Sequence, residues 1–245
     1  GAAKALRTVP VVLEIAEEVR RRAAPGAWLV DFTNPVGIVT RSLLDAGHRA
    51  VGLCNYAIGV QRWAAGLLGL DVTDRAQLAR VAVDPVGLNH LSWTRRVLLD
   101  GEDVLPRILA ERMDDVVAQH PFPPDLVRLA GTLPSYYLHY YYEHDRVVEA
   151  QRTERPRAAV VADLEAELLR AYADPSLVTK PAALDGRGGA YYSEAAVDLL
   201  ASLLGDAPAT HVVDVRNGLD GQPVVAGLSV DDVVELPCHV TSAGG

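Results

Sequence analysis

Trp28-Leu-Val-Asp-Phe-Thr-Asn-Pro-Val-Gly37 is the stretch that decides the fold. Its first half, within Ala27 to Phe32, is a short apolar run of the kind that forms a buried strand. Thr33-Asn34-Pro35 ends the run, because Pro35 has no amide hydrogen and biases Asn34 toward extended backbone. From Val36 to Ala46 apolar residues return at helical spacing. Upstream, Val12, Ile15, Ala16 and Val19 fall at i, i+3, i+4 and i+7, which predicts a helix over Pro10 to Arg22 with Pro10 in its first turn and three arginines in its last. Downstream, His48 to Leu53 is a second β-like run, and Ile58 to Leu68 reads as another helix. This alternation is the α/β pattern of a parallel sheet. Ligands of such sheets bind where the carboxyl ends of the strands meet the following loops. Asn34 and Cys54 both stand at that edge.

Past Arg80 the rhythm changes. Val81 to Leu99 alternates like paired strands interrupted by Gly87 to His90, while Leu105 to Gln119 and Asp145 to Tyr172 read as helices, the second kinked or broken at Pro156. Pro121 to Pro124 is a loop, and Ala190 to Leu204 a helix. His211 to Val215, Val224 to Leu228 and Val233 to Val240 are β-rich around Asn217-Gly218, a turn signal. A boundary is placed near residue 75, dividing the chain into 1–75 and 76–245.

With 245 residues, half of them apolar, the chain can bury a sizeable core. A net charge of −9 opposes binding to nucleic acid or an anionic membrane surface. No apolar run approaches the roughly 20 residues of a membrane span. Cys54 and Cys238 are read as thiols in a reducing cytoplasm, since a chain rich in Leu and Val needs no staple.

Two stretches hold the strongest chemistry: Gly52-Leu-Cys-Asn55 and Gly87-Leu-Asn-His90. Thiolate and imidazole together suit a transition-metal ion whose other positions a substrate would fill. Taken alone, each residue reads rather as a buried structural cysteine and a core histidine bonded to a backbone carbonyl. Ser135-Tyr-Tyr-Leu-His-Tyr-Tyr-Tyr142 holds five of the nine tyrosines. They suit either ring packing on a helix or a tyrosinate acting as general base. Gly186-Arg-Gly-Gly189 is either a phosphate cradle with a bidentate guanidinium or a plain turn. Asn34 is either a ligand to a sugar or nicotinamide ribose hydroxyl or an Asx turn closed by Pro35. There is no Gly-x-Ser-x-Gly elbow, Walker loop or His-Glu-x-x-His, and no carboxylate pair stands out.

Taken in order, Ala5-Leu-Arg-Thr-Val-Pro10, Asp31-Phe-Thr-Asn-Pro-Val-Gly37, Gly52-Leu-Cys-Asn55, Gly87-Leu-Asn-His-Leu91, Tyr137-Leu-His-Tyr-Tyr141, Arg187-Gly-Gly-Ala-Tyr-Tyr192 and Val234-Glu-Leu-Pro-Cys238 resemble glycoside hydrolase family 4, in its 6-phospho-β-glucosidase branch. The resemblance implies the second part of a Rossmann-like parallel sheet followed by an α+β catalytic domain of the lactate/malate dehydrogenase type. It implies NAD and a divalent cation, usually Mn²⁺, as cofactors, and a phosphorylated disaccharide or glycoside as substrate. NAD-dependent members of this kind do without the usual carboxylate pair. They oxidise C3, eliminate the aglycon after loss of the C2 proton, add water and return the hydride. Carried over by motif, Cys54 and His90 would ligate the metal and Tyr137 would be the C2 base. Arg187 would hold the 6-phosphate, Asn34, Asn55 and Asn89 would line the sugar, and Asn34 would also meet the cofactor. Homo-oligomers, dimers or tetramers, are expected of the full-length protein.

Two departures stand out. Ala57 stands where the family usually has Pro, and no Gly-rich dinucleotide turn opens the chain. The sequence therefore resembles an internal piece lacking that turn and the C-terminal helices, and weak NAD binding is expected of it in isolation. The rival readings are a malate- or lactate-type 2-hydroxyacid dehydrogenase and a non-catalytic sugar-phosphate-binding module.

Overall fold

The computed structural model describes residues 1–186, 191–205 and 207–242. The chain divides into two compact units, Gly1–Leu138 with Tyr191–Gly245, and His139–Ala190. In the first unit, α1 (Ala2–Arg22) leads to β1 (Leu29–Asp31), α2 (Val36–Asp45), β2 (Ala50–Gly52) and α3 (Asn55–Leu67). A single turn, α4 (Arg75–Leu78), precedes the long hairpin β3 (Val81–Leu88) and β4 (Leu91–Leu99) with the short β5 (Glu102–Asp103). Helices α5 (Leu105–Glu111), α6 (Met113–Gln119) and α7 (Pro124–Ala130) and the two-residue β6 (Leu133–Pro134) complete this stretch.

The second unit holds α8 (His139–Tyr142), α9 (His144–Thr153) and α10 (Arg157–Tyr172). The chain then returns to the first unit with α11 (Tyr192–Leu204), β7 (Ala209–Arg216), a small hairpin of β8 (Gly218–Leu219) and β9 (Gln222–Pro223), and β10 (Val233–Val240).

One mixed sheet organises the first unit, in the order β1-β2-β7-β10-β3-β4-β5, with β6 also pairing β4. Among the described residues only β1 and β2 run parallel; the other pairs of this sheet are antiparallel. Strands from both sides of residue 75 thus share it. Alternation along the strands sorts the two faces. Leu29 and Ala50 face a cluster built with Ala16 of α1 and Val39 and Leu43 of α2. Val51 and Val213 face the opposite way, onto Leu199 and Leu203 of α11. A third cluster joins α3 to β3, β4 and the helices α5 to α7.

One row across this sheet is polar. Asp31 pairs with Gly52, Gly52 with Asp214, Asp214 with Glu235, Glu235 with Gly87, and Gly87 with Ser92. Residues paired this way share a face. The row therefore lies at the carboxyl ends of β1 and β2, directly before Asn34 and Cys54 in the chain. Two of its six positions are glycine for steric reasons. A Cβ on Gly52 would meet Thr40 Oγ1, the Asp214 Cβ at 2.7 Å and Val36 Cγ1 at 2.9 Å.

Several expectations are corrected. Pro10 lies inside α1, not in its first turn. Its neighbours on the outer face, including Leu6, whose carbonyl the proline leaves unpaired, are exposed, so water can serve that group. Leu105 to Gln119 is two helices broken at Arg112, whose guanidinium bonds Asp115 (2.7 Å) and the Leu67 carbonyl (3.3 Å). The break expected at Pro156 is present, with Pro156 between α9 and α10 as the cap of α10. Val224 to Leu228 forms no strand. The Asn217 side chain takes the amide of Val225 (2.6 Å) and the carbonyls of Val225, Leu228 and Ser229, which leaves those groups unavailable to a ladder. The tight turn there is Asp220-Gly221, both with positive φ, and not Asn217-Gly218.

Candidate active site

Cys54 caps the start of α3 after β2, with extended backbone. Its side chain is buried and its thiol is pushed up to about 11, first by burial and then by the nearby Glu235 carboxylate. The Asn89 side chain stands near enough to that sulfur to favour its ionised form. Asn89 and His90 form the two-residue tip of the β3–β4 hairpin, since Leu88 pairs with Leu91. His90 adopts a positive φ of 67° there, a conformation uncommon outside glycine. Gly37, at the start of α2, lies against the tip, its Cβ position 3.4 Å from the Asn89 Cβ.

The His90 ring stacks flat on Tyr137, centroids 3.8 Å apart and planes 12° from parallel. Burial lowers the His90 pKa to about 4, so the imidazole is neutral at physiological pH. Tyr137 lies in a 3-10 turn, Tyr136–Leu138, and not on a regular helix. Tyr192, at the start of α11, ties these elements together. It lies near enough to the Asn34 side chain, the Asn55 backbone, Cys54 and Tyr137 to interact with all four. Burial, with that thiol as the next cause, raises its pKa to about 12. Its ring stacks on Phe32 at 4.9 Å. Asn34 keeps its Oδ1 buried without a partner.

Thus Cys54, His90, Tyr137, Asn34, Asn55 and Asn89 converge above the polar row. Arg187 lies outside the described residues. Reading from sequence missed Tyr192 and the row itself. Acids bracketed by valines, as in Val213-Asp214-Val215 and Val234-Glu235, are a visible signal in hindsight, because a strand buried on both faces rarely carries charge. Glu235 accepts from Asn89 Nδ2 (3.0 Å) and Ser92 Oγ (2.7 Å). Asp214, directly opposite, has no partner for either oxygen, and burial and Glu235 raise its pKa well above the carboxylate range. Among the described residues no three His, Cys, Asp or Glu side chains form a metal cluster. The fit to a cation is instead a pair, a soft thiol and a neutral imidazole, donors of the kind a transition-metal ion takes.

The family model described as the Family 4 glycosyl hydrolase C-terminal domain matches residues 85–245, and that of Family 4 glycosyl hydrolase matches residues 1–70. The chain belongs to glycosyl hydrolase family 4. Among its family 4 relatives, a probable 6-phospho-beta-glucosidase of Bacillus subtilis is 38% identical across the whole chain, which covers 56% of that protein. The 6-phospho-beta-glucosidase of Escherichia coli is 32% identical, with 55% of it covered. The solved 6-phospho-beta glucosidase of Thermotoga maritima, with manganese, NAD⁺ and glucose-6-phosphate, superposes on 97% of this family 4 chain with a TM-score of 0.82 and 31% identity. The chain spans 55% of that structure. The α/β class expected from the alternation holds, and both cysteines are free thiols.

Proposed function

We propose that this chain carries the sugar- and metal-binding part of a 6-phospho-β-glucosidase dependent on NAD and a divalent cation, Mn²⁺ first among them. What supports the reading is one observation: residues distant in sequence meet at the carboxyl edge of β1 and β2, with the Tyr137 ring laid against His90 and Tyr192 beside Asn34 and Asn55. Cys54 and His90 would hold the cation. The imidazole, already neutral, has a lone pair to give; the thiol must lose a proton, so cation affinity should rise with pH. Tyr137 would take the C2 proton of the sugar. The unpartnered Asn34 Oδ1 would accept from a sugar hydroxyl or the cofactor, and Asn55 and Asn89 would orient the ring. Arg187 would grip the 6-phosphate.

When bound, NAD would remove and return a hydride at C3, and the cation would polarise the neighbouring oxygens as a Lewis acid. In the same proposal residues 1–75 form the cofactor side and 76–245 the catalytic side, which the two family matches flank. The enzyme works as a homo-oligomer, dimer or tetramer, in a reducing cytoplasm suited to two free thiols; no helix among the described residues is long and apolar enough to cross a membrane. The rival dehydrogenase reading asks for a histidine oriented by a carboxylate, whereas His90 lies against a phenol ring.

The test is hydrolysis of p-nitrophenyl β-D-glucoside 6-phosphate by the full-length protein. Nitrophenol release should need both NAD and Mn²⁺. Release with neither present, or no release of this substrate alongside oxidation of malate or lactate, would sink the reading.

A further inference from the structure

Glu235 is 1% exposed, and each of its carboxylate oxygens accepts a different donor from one hairpin: Asn89 Nδ2 at 3.0 Å and Ser92 Oγ at 2.7 Å. The two donors lie on either side of His90 in the chain. Gly87, the register partner of Glu235 on β3, must be glycine for the hairpin itself to close, since its φ is 145°. A Cβ there would meet the Leu91 carbonyl oxygen and lie 2.8 Å from the Ser92 Cα. Asn89, held on one side by Glu235, stands close to the Cys54 sulfur on the other. The carboxylate therefore holds the imidazole-bearing turn and reaches the thiol through a single amide.

We propose that Glu235 is a positioning residue, which clamps the β3–β4 tip so that the Cys54 sulfur and the His90 imidazole face one divalent cation together. The proposal rests on reading Cys54 and His90 as a metal pair, and goes beyond it by giving the buried acid a task. Burying a carboxylate is costly unless donors surround it, and two donors on one turn meet that cost only while the turn holds this shape. Groups that orient metal ligands in this way commonly govern affinity by ten- to a hundredfold on removal. Asp214, opposite and without donors, cannot substitute for Glu235 in this contact.

Cobalt(II) is the probe, because its thiolate complexes absorb in the near ultraviolet and report sulfur coordination without turnover. The full-length protein should show a cobalt–thiolate band that Cys54→Ser abolishes. Glu235→Gln should weaken cobalt binding by about tenfold and dim the band per bound ion, with the thermal midpoint and circular dichroism unchanged. Asn89→Ala should do the same, and the double variant should lose clearly less than the sum of the two, since both changes cut the Asn89–Glu235 linkage. Additive losses, or an unaltered cobalt affinity in Glu235→Gln, would overturn the positioning role while leaving the metal pair intact. Should Glu235→Gln not fold, Ser92→Ala removes the other tie to the same carboxylate; unchanged cobalt affinity in that variant would equally overturn it. A band that persists in Cys54→Ser, or no band in the parent, removes the metal pair itself and this inference with it.

Discussion

His120 shows what burial does to a single titratable side chain in this protein. It is 1% exposed, its Nδ1 donates to the Pro134 carbonyl at 3.2 Å, and its ring meets Trp63 edge-on at 5.3 Å. Its Nε2 has no partner. Burial lowers its pKa from 6.5 to about 4, so the folded state prefers the neutral ring. The unfolded chain binds the proton first. Stability from this residue is therefore complete above pH 6.5, is lost as pH falls toward 4, and changes little below that. The loss is about 3 kcal/mol for a shift of this size. Denaturant unfolding from pH 7 to pH 4 should show a steeper fall for the parent than for His120→Phe, although the variant starts less stable at neutral pH. Parallel slopes would contradict the argument. At this scale the sequence was informative for the site: a cysteine after a strand and a histidine at a glycine-punctuated break are uncommon enough to be noticed. Tyr192 was not legible, because nothing local distinguishes a tyrosine that stands beside Asn34 from one packed in a core.

Among the elements, β2 is the tightest fit. Gly52 ends it between α2 and β7, where an added methyl has no room. Gly52→Ala should cost about 1–3 kcal/mol as overpacking. Gly59, inside α3 with nothing within 4 Å of its Cβ position, is the control: Gly59→Ala should stabilise by about 0.5–1 kcal/mol through lost backbone entropy in the unfolded chain. Thermal unfolding of the two variants checks both signs, and equal shifts would mean that the space around Gly52 relaxes freely. Element types were largely legible, since α2, α3, β3, β4 and β10 follow their hydrophobic periods closely. The misread segments share a cause. Val224 to Leu228 has strand composition, but the single buried side chain of Asn217 satisfies its backbone instead of a neighbouring strand. The break at Arg112 likewise depends on a carbonyl at Leu67, which periodicity cannot register.

For the molecule as a whole, core is distributed unevenly. All three hydrophobic clusters belong to the first unit, and among the described residues of the second only Leu168 is a buried hydrophobic. Segments with little buried apolar surface open at low free energy. Amide hydrogen exchange should therefore be faster in α9 and α10 than in the paired strands β3, β4, β7 and β10; protection in α10 equal to that of β10 would refute this. What the sequence by itself determined was the inventory: which segments coil or extend, the family, and the side chains able to bind a metal or move a proton. The first follows from local periodicity, the family from motifs that match it in order, and the last from residue chemistry. The tertiary structure alone decided that β7 and β10 insert between β2 and β3, bringing Asp214 and Glu235 into one row with Asp31 and Ser92. That row exists only through pairing between strands far apart in the chain, and strand pairing of that range leaves no periodic trace in any single segment.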